Sequence, residues 1–143
     1  MLYVLGFAFS GDCVLLIRKS RPRWQAGSLN GIGGKVEAGE APVAAMCREF
    51  SEECGVETSP DSWREVAWVA GGPAWQIHVF TMTANLTDTA RTMTDEPVEF
   101  VALGDLLRRN DLISNVPWLV AACLDLDLAG RPLEIRYPTA RGF

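Results

Sequence analysis

The segment Gly34 to Val56 constrains this chain most. Gly34-Lys35-Val36-Glu37-Ala38-Gly39-Glu40 is followed by seven residues and then by Arg48-Glu49-Phe50-Ser51-Glu52-Glu53-Cys54-Gly55-Val56. Pro42 suits the first turn of a helix and Gly55 suits the residue just past its end, and nothing between them breaks three to four turns. At about 100° per residue, Glu49, Glu52 and Glu53 share an arc of roughly 100°, while Val43, Met46, Cys47, Phe50 and Cys54 gather on a neighbouring one. One face is therefore built to be buried and the next is strongly anionic. Like charges one turn apart repel by a few tenths of a kcal/mol per pair, so three converging acids call for solvent, a compensating partner or a cation. Arg48, four residues before Glu52, compensates part of the charge.

Taken alone, three glutamates are better read as a solvated acidic face. The full spacing narrows the choice. Gly34, Glu40, Arg48-Glu49, a large apolar residue, Glu52-Glu53, Gly55 and Val56 together resemble the Nudix box. That resemblance implies an α/β (α+β) fold, a Nudix-type α/β/α sandwich around a central mixed β-sheet. It also implies a metal-dependent pyrophosphohydrolase of nucleoside diphosphate-linked compounds. In the family, acids at the positions of Glu49, Glu52 and Glu53 bind divalent metal, with Gly34 shaping the loop beside them. Arg48 orients a neighbouring glutamate, and Glu40 is the acid ahead of the helix. A further acid from a later loop often joins as ligand or base, for which Glu96 is the first candidate and Glu99 the second. Mg²⁺, with Mn²⁺ as a substitute, suits this chemistry because it is hard, prefers oxygen, and is shared between carboxylates and phosphates. One departure is Ala41, a poor helix N-cap costing about 1 kcal/mol relative to a good one.

The rest of the chain bears on substrate and setting. Its 143 residues, 48% of them hydrophobic, suffice for a single domain over residues 1–143 with a substantial core. A net charge of −5 argues against sequence-independent binding to duplex nucleic acid. A small nucleotide carried with a metal remains compatible. Cys13, Cys47, Cys54 and Cys123 form no C-x-x-C pair and read as reduced thiols. The N-terminus has neither the basic region nor the cleavage site of a signal peptide, and no apolar run is long enough to span a membrane, so a cytoplasmic protein, monomer or homodimer, is expected.

Leu2–Phe9 and Cys13–Ile17 flank Ser10-Gly11-Asp12 as a β-hairpin, and further strands are expected near Trp63–Ala70, Trp75–Ala84 and Val98–Leu103. Pro117–Leu128 reads as a last amphipathic helix with Trp118, Leu119, Ala122, Cys123 and Leu126 on its apolar stripe, and Leu133, Ile135 and Tyr137 suggest an extra strand. Between the hairpin and the acidic helix, Lys19, Arg21, Arg23 and Trp24 form a basic loop, and Leu29-Asn30-Gly31-Ile32-Gly33-Gly34-Lys35 allows a tight turn close to a ligand. The run from Trp24 to Lys35 looks like the segment before the box in MutT-type enzymes, where an asparagine at the position of Asn30 reads a base edge. Related enzymes place another base-contacting polar residue where Asn115 stands, just before Pro117-Trp118. The substrate-binding set expected from this is Asn30, Trp24, Lys35, Asn115 and Trp118. Turn formation by Asn30 and helix capping by Asn115 are the plainer alternatives. A nucleoside triphosphate such as 8-oxo-dGTP, cut to the monophosphate and pyrophosphate, is the leading substrate. ADP-ribose, ADP-sugar or dinucleotide hydrolysis and a non-catalytic nucleotide sensor are the competing functions.

Overall fold

In a computed structural model that describes residues 1–128 and 130–138, alternating burial along the first strand organises the molecule. Strand β1 (Leu2–Ser10) sends Val4 and Ala8 to one face and Leu5, Phe7 and Phe9 to the other, and both sets are buried. A strand covered on both faces reads as an almost continuous apolar run, as this one does. Its neighbour β2 (Cys13–Arg18) repeats the pattern, with Leu15 and Ile17 on the first side and Val14 and Leu16 on the second.

Six further strands complete one mixed sheet: β3 (Leu29–Asn30), β4 (Ile32–Lys35), β5 (Arg64–Gly71), β6 (Trp75–Thr83), β7 (Val98–Ala102) and β8 (Leu133–Arg136). The path runs β3-β2-β1-β6-β5-β8, with β4 also on β1 and β7 also on β2. β1 pairs parallel with β6 along its whole length, from Leu2↔Gln76 to Phe9↔Thr83. Its other edge is shared: Ala8–Ser10 pair with β2, while Tyr3–Gly6 pair with β4. The glycine-rich segment, expected as a turn, is thus a bent pair of short strands wedged into a splayed hairpin. Gly33 is required there, because a Cβ on it would lie 2.0 Å from the Val4 carbonyl oxygen. The expected tail strand is β8, docked parallel to β5.

Helix α1 (Pro42–Cys54) covers the first face through Ala45, Met46, Phe50 and Cys54, with Phe50 edge-on to Trp63 at 5.1 Å between ring centroids. Full burial of side chains such as Met46 and Phe50 is worth about 1.5–3 kcal/mol each, which offsets the weak start at Ala41, where no side chain caps the helix. Gly55 ends it in the left-handed conformation at φ 74°. Helix α2 (Val116–Leu124) covers the opposite face with Val116, Leu119, Val120, Ala122 and Cys123. It is shorter than expected, and a separate 3₁₀ turn holds Leu126–Leu128. Trp118 and Leu126 do not join the apolar stripe: Trp118, 41% exposed, falls on the side of α2 opposite Val116, Leu119, Val120 and Cys123, and Leu126, 83% exposed, lies past the end of the helix. Two helical layers around a mixed sheet are the fold expected of the chain. The last residues of the single domain expected over 1–143, 139–143, lie outside the described set, and no helix among the described residues is long and apolar enough to cross a membrane.

Gly33→Ala is expected to lower stability by about 3 kcal/mol or more, since the obstructing atom is backbone and cannot rotate away. Denaturant unfolding of the variant against the parent measures this.

Candidate active site

The start of α1 is held to the loop before it by one guanidinium. Arg48 donates from Nε to Glu40 Oε2 at 2.9 Å and from Nη2 to Glu40 Oε1 at 2.9 Å, a two-pronged pair. Nη2 also donates to the Lys35 carbonyl at 3.0 Å, and Nη1 to Glu49 Oε1 at 2.9 Å. Such planar, bidentate recognition is what arginine offers and lysine does not. Hydrogen bonds from Arg48 and from the Glu37 N–H hold the Glu40 carboxyl down to about 2. Arg48 is pushed up in turn, chiefly by Glu40. The expected compensation of Glu52 is the weakest of these contacts, at 3.6 Å, and the Glu52 side chain is 58% exposed.

Glu49 and Glu53 sit differently. Burial pushes both carboxyls above their ordinary range, against the pull of Arg48 on Glu49 and of Lys19 on Glu53. Glu49 gains its position from a missing side chain: a Cβ on Gly34 would stand 2.4 Å from the Glu49 carboxylate. Gly34 therefore makes the recess that this carboxylate fills.

Those two half-buried carboxylates and exposed Glu52 project from neighbouring turns of α1. Among the described residues, no three of the His, Cys, Asp and Glu side chains already enclose an ion as they stand. The donor chemistry nevertheless fits Mg²⁺ or Mn²⁺. Such ions commonly take one or two carboxylates and complete their shell with water and substrate phosphate, so a closed protein cage is not required.

Glu96 is 2% exposed and lies under the basic loop. Its carboxylate accepts from Lys19 Nζ at 2.9 Å, the Ser20 N–H at 2.5 Å, the Ser20 hydroxyl at 3.3 Å and the Arg21 N–H at 3.4 Å. The exposed Arg21–Asp95 ion pair adds a second tie between the same loops. Thr94 then donates to Glu53 Oε2 at 3.4 Å, so Lys19, Arg21 and the acidic helix meet along one seam. Glu99, the second candidate, is drawn elsewhere. It pairs with Arg18 at 2.9 Å and Arg109 at 3.2 Å, and both arginines also hold Asp111.

That four-residue cluster ties together the segments that hold the two expected base contacts. Arg18 Nη1 holds the Gly27 carbonyl at 2.9 Å, and Leu29 exchanges backbone hydrogen bonds with Asp111 and Ile113 at 2.7 and 2.9 Å. The loop leading to Asn30 and the one leading to Asn115 are thus stitched together. Asn30 is buried, with Oδ1 accepting from the Gly31 N–H at 2.8 Å and Nδ2 donating to Gln25 Oε1 at 3.2 Å. Asn115 is also buried; its side chain makes no capping bond to α2, and among the described residues its Oδ1 has no partner. Helix capping does not account for it. Trp24 is 53% exposed, and Lys35 and Trp118 are also on the surface. Gln25, Thr94 and the Arg18–Glu99–Arg109–Asp111 cluster had no local sequence signal, since each acquires its role from a partner distant in the chain or across a loop.

The sequence matches the NUDIX domain family over residues 2–120. The chain belongs to the NUDIX family. This NUDIX domain is 41% identical over 58 residues to a Mycobacterium tuberculosis protein whose name proposes an 8-oxo-dGTP diphosphatase, with 41% of each chain covered. It is 33% identical over 119 residues to the mouse ADP-sugar pyrophosphatase, covering 77% of this chain and 52% of that one. The matches therefore span about half or less of those relatives' lengths. The crystal structure of the MutT NUDIX hydrolase from Burkholderia pseudomallei superposes with a TM-score of 0.70 at 24% identity, covering 85% of this chain and 95% of that chain.

The raised carboxyls fix the sign of one prediction. A folded state that holds the Glu53 proton more tightly than the unfolded chain loses stability as pH rises from the ordinary carboxylate value through the raised one. Metal-free Glu53→Gln is accordingly expected to melt higher than the parent at pH 7, with the gap closing in acid. Each kcal/mol recovered is worth about 2–4 °C, readable by scanning calorimetry.

Proposed function

We propose that the chain is a divalent-metal-dependent nucleoside triphosphate pyrophosphohydrolase that takes an oxidised purine such as 8-oxo-dGTP and yields the monophosphate and pyrophosphate. The observation that carries this reading is the partition of the site. Half-buried carboxylates stand on α1, and a buried amide whose Oδ1 has no partner among the described residues, Asn115, lies on the loop stitched to Asn30. An unpaired buried acceptor costs about 1–3 kcal/mol, and a ligand N–H would remove that cost. The likeness to the Mycobacterium tuberculosis protein supports the same substrate class.

Mg²⁺ bound by Glu49, Glu52 and Glu53 would neutralise charge on the phosphates and lower the pKa of the attacking water. The protein's own part is positional. Arg48 holds Glu49 and Glu40 in place, and Gly34 leaves room for the Glu49 carboxylate. Lys19, Arg21 and Lys35 put positive charge beside an otherwise repulsive acidic helix, where a polyphosphate must approach. Glu96, already engaged by Lys19, keeps that loop in place; acting as a base would require its release. Hydrolysis of an ADP-sugar is the second reading, favoured by the likeness to the mouse enzyme.

Steady-state kinetics with product analysis across purine triphosphates, ADP-ribose and a dinucleotide, each with Mg²⁺ or Mn²⁺, tests the proposal. An oxidised purine triphosphate is expected to give the highest kcat/KM, with Glu53→Gln at least 100-fold slower, or about 2.7 kcal/mol of lost transition-state stabilisation. ADP-ribose exceeding every triphosphate by 100-fold would overturn the substrate assignment, and an unaltered Glu53→Gln the catalytic one.

A further inference from the structure

The hydrogen bonds around Asn30 form a chain with only one possible polarity. The Gly31 N–H can donate only to an acceptor, so the Asn30 atom 2.8 Å from it is the amide oxygen. Asn30 therefore turns its NH₂ toward Gln25 and donates at 3.2 Å to what must be the Gln25 carbonyl oxygen. The Gln25 NH₂ is thereby forced to the free end of the chain. Gln25 is only 2% exposed as a residue, yet its Nε2 is not among the fully buried atoms that lack a partner, so with no acceptor among the described residues this NH₂ keeps its contact with solvent. Nothing in the loop's packing needs a donor there: the Gln25 backbone is already bonded to Pro22 and Ser28 at 2.9 Å each.

We propose that Gln25 is a specificity-determining residue of the nucleotide site, its amide fixed by Asn30 so that it donates to the ring carbonyl of an oxopurine. This rests on the nucleotide reading above and extends it to the 6-position of the base. A 6-oxopurine offers an acceptor at that position and a 6-aminopurine offers a donor. The Gln25 NH₂ would satisfy the first and confront the second with two donors face to face. A polar group that a bound ligand covers and leaves unpaired discriminates far more strongly than an added or removed methylene. The backbone of Gly31, which no substrate can rotate, ultimately sets the choice.

Metal-free binding of inosine monophosphate, adenosine monophosphate and ribose 5-phosphate, measured by calorimetry, tests this without relying on turnover. Two variants separate the roles. Gln25→Glu keeps the acceptor for Asn30 and removes the donors; Gln25→Met is of similar length, uncharged, and removes both. In the parent, inosine monophosphate is expected to bind more tightly than adenosine monophosphate. Each variant is expected to lower that affinity ratio at least tenfold, equivalent to about 1.4 kcal/mol. A ratio within twofold of the parent in Gln25→Met, or an equal loss for both nucleotides, would overturn the proposal by reducing Gln25 to a loop-packing residue. A parent that binds both nucleotides no better than ribose 5-phosphate would instead overturn the nucleotide reading itself.

Discussion

Arg48 is the group through which the helix, the loop before it and the acidic site are coupled. Its guanidinium reaches Glu40, the Lys35 carbonyl and Glu49 together, so the register between β4 and α1 cannot change without breaking several charge-assisted hydrogen bonds. The pair also divides the acids into two kinds. Glu40 is held ionised and is spent on architecture, while Glu49 and Glu53 are kept partly desolvated and above their ordinary pKa. Ion-paired and partly desolvated carboxylates thus coexist within a few residues because their surroundings differ.

The sheet links this arrangement to the Asn30 segment. β1 splits its edge between β2 and β4, and the wedge so formed brings Asn30 to one rim and Gly34 to the other. Parallel pairing with β6 and the helices on both faces make β1 a rigid reference for both rims. Charge networks then fix the loops. Lys19–Glu96 and Arg21–Asp95 draw the basic loop to Glu53, and the Arg18–Glu99–Arg109–Asp111 cluster draws the Asn30 segment to the Asn115 segment.

Much of this was legible in the sequence, and the reasons are specific. α1 was readable because Pro42 and Gly55 mark its ends and its apolar spacing is helical, and the box acids carry their spacing with them. The hairpin, β5, β6 and β7 were readable from apolar and β-branched runs. β3 and β4 were not, because three glycines in four positions suggest a loop, and only the close approach to the β1 backbone shows why a strand needs them. Trp118 was misplaced on the buried stripe because it falls on the side of α2 opposite Val116, Leu119, Val120 and Cys123, and Leu126 because periodicity does not reveal where a helix stops. Gln25 was invisible for another reason: its importance comes from a hydrogen-bond polarity imposed by Gly31 through Asn30.

The central claim is that the recess beside Gly34 positions Glu49 for a divalent cation, and Gly34→Ala tests it most directly. The three atoms nearest the added methyl all belong to the end of the Glu49 side chain, which can swing aside, so the fold should survive while the carboxylate is displaced. Mn²⁺ binding followed by electron paramagnetic resonance, with circular dichroism to confirm folding, is the measurement. At least a tenfold loss of Mn²⁺ affinity in a folded variant is the predicted result. Folded Gly34→Ala binding Mn²⁺ as tightly as the parent would contradict the account.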